Sequence, residues 1–228
     1  MTTATYAQFR GNLETYFDRT AARAWEQLTS DAPVSGIRAT VRAGRTEMRD
    51  TLLSWLPADM TGLRLLDAGC GTGALAVEAA QRGATVVAID IAGSLVRIAR
   101  DRAPSGLDID WRVGDMLDPG LGSFDHVVAM DSLIHYKPSD IVAVLGQLAA
   151  NTRGSLAFTF APQTPLLMAM LGLGRLFPRS DRSPTIVPVR DRHLRTSIEA
   201  ALPQARLGRD RRVSASFYTS HALEVLAG

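Results

Sequence analysis

Three closely spaced glycines, and an aspartate that follows them, are the residues of this chain best suited to chemistry. Gly69, Gly71 and Gly73 stand in "LLDAGCGTGA", and Asp90 comes 21 positions after the first of them. Glycine lets a ligand approach the main chain closely, and a helix start adds unpaired amide hydrogens and a partial positive charge. A carboxylate at the end of the next strand can accept hydrogen bonds from both hydroxyls of a ribose. The spacing therefore predicts a site for a cofactor that contains adenosine.

These residues lie at the ends of predicted strands. "LRLLDAG" is a short apolar run that predicts a buried strand, and "ATVVAID", "LDIDWRVGD", "FDHVVAMDSLI" and "GSLAFTFAP" predict four more. Helical segments such as "ALAVEAAQR", "SLVRIARDR" and "PSDIVAVLGQLAANT" separate them. Strands that alternate with helices predict an α/β fold with a mostly parallel sheet, connected by right-handed crossovers.

The two ends of the chain differ from this pattern. Residues 1–60 show helical spacing of apolar side chains and predict an N-terminal helical cap, which leaves 61–228 as the main domain. After the fifth strand, residues 162–189 form a long stretch with five prolines and an apolar block, which predicts an irregular lid. "RDRHLRTSIEAAL" then predicts a helix, and "RLGRDRRVSASFYTS" predicts a pair of strands.

Composition limits the classes of protein to consider. The chain has 228 residues, enough for one substantial core, and its net charge of +2 gives no support for a nucleic-acid partner. Cys70 is the single cysteine, so an internal disulfide is impossible and a reducing compartment, the cytoplasm, is expected. The sequence shows neither a signal peptide nor an apolar run of the roughly 20 residues that a transmembrane helix needs.

The glycine loop by itself fits either a dinucleotide or a methyl donor, because "GCGTGA" satisfies the dinucleotide pattern. Asp67 favours the methyl donor: a carboxylate beside the loop would repel a pyrophosphate by roughly 1 kcal/mol or more at contact distance, but would attract an ammonium or sulfonium group. The Tyr-x-x-x-Lys pair used for hydride transfer is missing, since the only lysine, Lys137, directly follows Tyr136.

The string "DAGCGTG" resembles the first motif of the class I S-adenosylmethionine-dependent methyltransferases. That resemblance implies a Rossmann-like sheet of seven mostly parallel strands with helices on both faces, and S-adenosylmethionine as the methyl donor. It also implies that Asp115, in "VGDM", accepts a hydrogen bond from the adenine amine. The complete predicted donor site consists of Asp67, Gly69, Gly71, Asp90, Ile91, Asp115, Met116 and Met130.

Three more strings indicate the methyl acceptor. "LETYFDRT", "MDSLIHY" and "FPRSDRSP" resemble the magnesium protoporphyrin IX O-methyltransferases of chlorophyll and bacteriochlorophyll synthesis, and this resemblance runs from about Tyr16 to Tyr218. It implies methyl transfer to one propionate of the porphyrin, which gives the monomethyl ester. The magnesium then belongs to the substrate, and a protein-bound metal is not predicted. The alternative is an O-methyltransferase for another small carboxylate or a phenol.

The chemistry of ester formation makes modest demands on the protein. A propionate has a carboxyl pKa near 4.3, by analogy with glutamate, so it is already ionised at neutral pH. A general base is therefore unnecessary, and the main task is to align the attacking oxygen with the methyl group, which can supply several kcal/mol.

His135 is the first choice for a residue that positions the propionate or approaches its magnesium, and Tyr16 is predicted to close over the donor or the acceptor. Arg179 and Arg182 are predicted to clamp the propionates as bidentate partners. Each of these residues also has a purely structural alternative: packing for His135 and Tyr16, and a solvated loop for the arginines. Arg45 is a candidate partner for the carboxylate of the donor's methionine part.

The apolar block from Leu166 to Phe177 suits a large flat ligand. The resemblance leaves three contacts open for it: the porphyrin, a membrane surface, and the large subunit of magnesium chelatase. Peripheral contact with the photosynthetic membrane is the alternative to a purely cytoplasmic location.

Overall fold

The computed structural model describes Tyr6, Gly11, Thr29 and residues 36–174, 186–215 and 217–227. Its helices are α1 (Gly36–Ser54), α2 (Ala74–Gln81), α3 (Gly93–Arg102), α4 (Pro138–Ala149), α5 (Pro165–Gly174) and α6 (Asp191–Ala201). Its strands are β1 (Arg64–Ala68), β2 (Thr85–Asp90), β3 (Ile109–Val113), β4 (Phe124–Ala129), β5 (Thr152–Phe160), β6 (Arg206–Ala215) and β7 (Tyr218–Leu226).

The strands form one seven-stranded sheet in the order β3-β2-β1-β4-β5-β7-β6. The first five strands pair in parallel, and β7 pairs antiparallel with both β5 and β6. The strand order reverses between β1 and β4, and ligands bind at the carboxyl ends of the strands beside such a reversal. The arrangement confirms the predicted α/β class and places the glycine loop and the segment after β4 at the same edge of the sheet.

Both faces of the sheet are covered by helices, as predicted. In β4, Val127 and Ala129 pack into the cluster that includes α4 and α6, whereas Val128 between them packs into the cluster that includes α1 and α2. Successive side chains of a strand point to opposite faces, so a strand buried on both sides is continuously apolar. This is why the central strands read as unbroken apolar runs.

Helix α1 belongs to the region predicted as an N-terminal cap. Its apolar side chains Met48, Leu52 and Leu53 are fully buried, and Met48 and Leu52 have the four-residue spacing of one helix face. The helix packs against α2, β6 and β7, and its Arg45 contacts Asp131, which follows β4. The structure therefore contains a helix over 36–54, within the region predicted to be helical, while the division at residue 60 stays a prediction.

The region after β5 is more regular than the sequence analysis expected. Residues Pro165–Gly174 form α5, so the prediction of an irregular stretch from 162 to 189 was wrong for this part. The sequence analysis did not recognise this helix because the block is apolar on all sides and lacks the polar face that marks a surface helix. Residues 175–185, which include Arg179 and Arg182, lie outside the described residues, as does Tyr16. Among the residues that are described, no helix has both the length and the apolar character needed to cross a bilayer.

Candidate functional site

The glycine loop connects β1 to α2 and is tied to the neighbouring strand. The backbone amides of Gly69 and Cys70 donate hydrogen bonds to the carbonyl of Ile89, at 2.8 and 3.0 Å. A Cβ on Gly69 would lie 2.3 Å from Cβ of Ser132, so only glycine allows this close approach. A Cβ on Gly71, where φ is +53°, would meet no atom within 4 Å. The loop is thus closely packed at Gly69 and open at Gly71, on the side where a ligand can reach the backbone.

The open side of the loop borders a cleft of about 280 Å³. The cleft brings together four residues of the predicted donor site, Asp67, Gly69, Gly71 and Met130, with three arginines of α1. Sequence reasoning singled out Arg45 but missed the other two, Arg42 and Arg49. The available signal was their helical spacing, because positions 42, 45 and 49 share one face of a helix.

Asp67 is the buried carboxylate of this cleft. Its side chain is 2% exposed, and its Oδ2 atom is without a hydrogen-bond donor in the described part of the chain. Burial, and secondarily the negative charge of Asp90, raise the pKa of Asp67 to about 7. A buried carboxylate with an unsatisfied oxygen is stabilised by a cation placed against it. Asp67 therefore fits the cationic end of a sulfonium donor and does not fit a pyrophosphate.

Asp90 links the glycine loop to the end of β2. Its Oδ2 accepts a hydrogen bond from the amide of Gly71 at 2.8 Å, and its Oδ1 accepts one from the amide of Ala92 at 2.9 Å. A carboxylate oxygen can accept more than one hydrogen bond, so this carboxylate suits the hydroxyls of a ribose. Ile91, the next residue, is partly buried against the same core cluster as Met116.

Asp115 lies after β3 and has a partner that the sequence analysis missed. Its Oδ1 accepts hydrogen bonds from the amide of Leu117 at 3.0 Å and from the hydroxyl of Tyr6 at 2.8 Å. The ring of Tyr6 also stacks on Tyr136, with ring centroids 5.1 Å apart. Tyr6 therefore lies at the edge of the sheet beside the predicted adenine site. No sequence signal predicted this contact, because Tyr6 does not belong to a recognisable pattern.

The segment after β4 carries the predicted acceptor residues. His135 and Tyr136 are buried, at 6% and 3% exposure, and the amide of Tyr136 donates to the carbonyl of Leu133 in a tight turn. Their side chains therefore lie at the strand edge instead of in solvent. The positioning role of His135 stays a prediction.

Arg45 is found in an ion pair. Its Nη1 atom lies 2.5 Å from Oδ2 of Asp131, a carboxylate that is 6% exposed. Arg45 also lines the cleft beside the glycine loop. The predicted contact with the methionine carboxylate of the donor stays a prediction.

Comparisons with family models and curated proteins agree with this geometry. A model described as magnesium-protoporphyrin IX methyltransferase C-terminus matches residues 129–227, and one described as methyltransferase domain matches residues 65–154. The chain is 50% identical to the magnesium-protoporphyrin O-methyltransferase of Rhodobacter capsulatus, over 96% of this chain and 97% of that protein. It is 30% identical to the protein of that name from Synechocystis, over 92% and 93%.

A solved structure gives the same result at the level of the fold. The crystal structure of magnesium protoporphyrin IX methyltransferase from Synechocystis PCC 6803 with bound SAH superimposes with a TM-score of 0.85 at 28% identity. The superposition covers 96% of this chain and 100% of that one. The same enzyme with bound SAM gives a TM-score of 0.80.

Proposed function

This chain belongs to the magnesium protoporphyrin O-methyltransferase family, and from that premise we propose its reaction. It transfers a methyl group from S-adenosylmethionine to a propionate carboxylate of magnesium protoporphyrin IX and forms the monomethyl ester. The reaction belongs to chlorophyll and bacteriochlorophyll biosynthesis. The observation that carries the proposal is the 50% identity with the Rhodobacter capsulatus enzyme, because the match covers 96% of this chain and 97% of that protein.

The residues around the glycine loop hold the donor, which supplies an electrophilic methyl group on its sulfonium sulfur. Asp67 faces the cationic part with its unsatisfied oxygen, and Gly71 lets the donor lie against the backbone. Asp90 orients the ribose. Asp115, held by Tyr6, orients the adenine. These contacts bind and align the donor, and none of them has to transfer a proton.

The acceptor brings its own nucleophile, because a propionate with a pKa near 4.3 is ionised at neutral pH. The protein has to hold this oxygen in line with the methyl group and to keep water away. The position of His135 supports this role, because the residue is buried in the turn that follows the carboxyl end of β4. Tyr16 closes the site from the N-terminal side.

Residues 162–189 act as a lid over the pigment, and Arg179 and Arg182 bind its propionates. Supporting this, α5 begins five residues after β5 ends, at the carboxyl edge of the sheet, and Met168 in it is 46% exposed. An exposed methionine adapts well to a large flat apolar ligand. The same surface receives the porphyrin from the large subunit of magnesium chelatase, at the cytoplasmic face of the photosynthetic membrane.

The decisive experiment incubates the purified protein with magnesium protoporphyrin IX and S-adenosylmethionine labelled in the methyl group. The expected result is a labelled pigment that releases its label as methanol on mild alkaline hydrolysis, as an ester does. Unlabelled pigment, with donor binding intact, would exclude the proposed acceptor.

A second acceptor class is favoured by one specific likeness. The chain is 32% identical to the ubiquinone biosynthesis O-methyltransferase of a Xanthomonas strain, over 78% of this chain. The same assay with a phenolic acceptor tests this alternative. A phenolic acceptor must lose its proton, so its methylation would accelerate as the pH rises towards a pKa of about 10.

A further inference from the structure

Asp131, two residues beyond the end of β4, has a backbone conformation that is unusual for its residue type. Its φ is +54°, and it is the one non-glycine residue with positive φ in the described part of the chain. The left-handed region brings Cβ close to the following carbonyl, so residues with a side chain rarely adopt it. Such a conformation persists where surrounding contacts hold it, and it is enriched at functional sites.

The contacts that hold Asp131 come from three separate elements. Its carboxylate accepts hydrogen bonds from Arg45 on α1, Tyr218 and Ser220 on β7, and Thr159 on β5, at distances of 2.5 to 3.3 Å. Its own amide donates to the hydroxyl oxygen of Thr159 at 2.7 Å. We name this group of five side chains the Asp131 hub. It ties α1 and two strands to the first residues after β4.

Close packing around Tyr218 holds helix α1 against the Asp131 hub. A Cβ on Gly44 would lie 2.5 Å from Cδ1 of Tyr218, so a glycine in α1 allows the helix to lie directly on the tyrosine ring. Burial, and secondarily Asp131, raise the pKa of Tyr218 well above its usual value, so its hydroxyl remains a donor.

The Asp131 hub connects the donor part of the site with the acceptor part. Arg45 lines the cleft beside Asp67 and the glycine loop, where the donor is proposed to bind. Asp131 itself starts the turn that ends at His135 and Tyr136, where the acceptor is proposed to bind. Thr159 and Ser220, which donate to the Asp131 carboxylate, are buried at 0% and 2% exposure.

We propose that Asp131 is a positioning residue for methyl transfer: its carboxylate sets the turn that carries His135 relative to Arg45 and the donor cleft. The proposal rests on the proposed function for its acceptor. A displacement of about 1 Å between reacting groups can lower a rate by about 100-fold, so a hub between the two sites controls turnover without touching either substrate.

The test compares Asp131→Gly, Asp131→Asn and Tyr218→Phe with the wild-type chain. Glycine suits a φ of +54° better than aspartate, so Asp131→Gly keeps the turn and removes the carboxylate. Asparagine tolerates the same conformation and retains one acceptor oxygen. Asp210→Asn is the matched control, since it breaks contacts of a carboxylate with Arg195 and His221 away from the site.

The readouts are donor stoichiometry and Kd from equilibrium dialysis, and kcat per donor-binding site with magnesium protoporphyrin. We expect kcat to fall about 100-fold in Asp131→Gly and about 10-fold in Asp131→Asn and Tyr218→Phe, with a donor Kd raised about threefold. Asp210→Asn should lower thermal stability and leave both constants unchanged. Asp131→Asn should therefore be more active than Asp131→Gly. A residue needed only for the backbone conformation of the turn would not show this difference, because glycine suits that conformation at least as well.

Two results would overturn the proposal. One is an Asp131→Gly protein with kcat within twofold of the wild type, which would mean that the residue serves only the turn. The other is a loss of activity equal to the loss of donor-binding sites, which would mean unfolding. If Asp131→Gly does not fold, the asparagine and phenylalanine variants decide by the same criteria. A wild-type chain inactive on the pigment would refute the acceptor instead, and the donor Kd of Asp131→Asn would then test the hub.

Discussion

The carboxylate of Asp90 accepts a hydrogen bond from the backbone amide of Gly71 at 2.8 Å, although the two residues lie 19 positions apart. This contact joins the end of β2 to the glycine loop after β1, and thereby fixes the loop in the shape that leaves its outer side open. The residue proposed to bind the ribose is thus also the residue that holds the loop.

Replacing Asp90 with alanine should therefore affect donor binding twice, by loss of the ribose contact and by loss of the loop's anchor. We expect the Kd for S-adenosylmethionine to rise at least about 10-fold, as for the loss of one or two hydrogen bonds to a charged group. Equilibrium dialysis measures this. The control is Asp110→Ala, an exposed carboxylate on the neighbouring strand that pairs with Arg112. An unchanged Kd in Asp90→Ala would contradict the donor site.

Replacing Asp67 with asparagine should raise stability and weaken donor binding. The pKa of Asp67 is raised from 3.8 to about 7, chiefly by burial. Between pH 3.8 and about 7, the folded protein keeps a proton on Asp67 that the unfolded chain releases. This bound proton stabilises the folded state at low pH, and the contribution is lost as the pH rises to about 7. At pH 8 the variant should be more stable than the wild type by on the order of 4 kcal/mol, and the difference should vanish near pH 4.

Urea unfolding of the donor-free protein at the two pH values measures this difference. The same variant should bind the donor at least about 10-fold more weakly, because a buried carboxylate no longer faces its cation. A variant that is less stable than the wild type at pH 8, or that binds the donor equally well, would contradict the role given to Asp67.

The pH dependence of turnover should separate the two substrates. With saturating donor, the rate should be nearly constant from about pH 6.5 to 9, because the propionate is ionised throughout. With limiting donor, the rate should fall below a pH of about 7, as Asp67 takes up a proton and loses its charge. Initial rates at both donor concentrations test this. A steep rise above pH 8 at saturating donor would indicate a phenol or thiol as the nucleophile.

Replacing His135 with alanine should lower turnover much more than donor affinity. Its proposed role is to hold the acceptor, so we expect kcat to fall by about 10- to 100-fold, with a donor Kd within about twofold of the wild type. His193→Ala is the matched control, because His193 lies on the exposed face of α6. Equal losses of turnover and donor affinity in His135→Ala would mean that the histidine belongs to the donor site or to the core.

Local patterns in the sequence were enough to predict most of the fold and the donor part of the site. The strand that ends in Asp67, the glycine loop and the strand that ends in Asp90 could be predicted because apolar periodicity and glycine spacing act over a few residues. Because the carboxyl ends of parallel strands share one edge, the same patterns placed the segment of His135 beside the loop. Helix α5 was missed because a uniformly apolar block lacks a helical signal.

Only the tertiary structure decided the contacts that join residues far apart in the chain. Tyr6 reaches Asp115 across 109 positions, and Arg45 reaches Asp131 across 86. Neither pair has a spacing rule, because such distances depend on how α1 and Tyr6 pack on the finished sheet. The raised pKa of Asp67 has the same origin, since burial exists only once the cleft has formed. The sequence by itself determined which groups stand at the edge of the sheet, and packing decided their charge, their partners and their geometry.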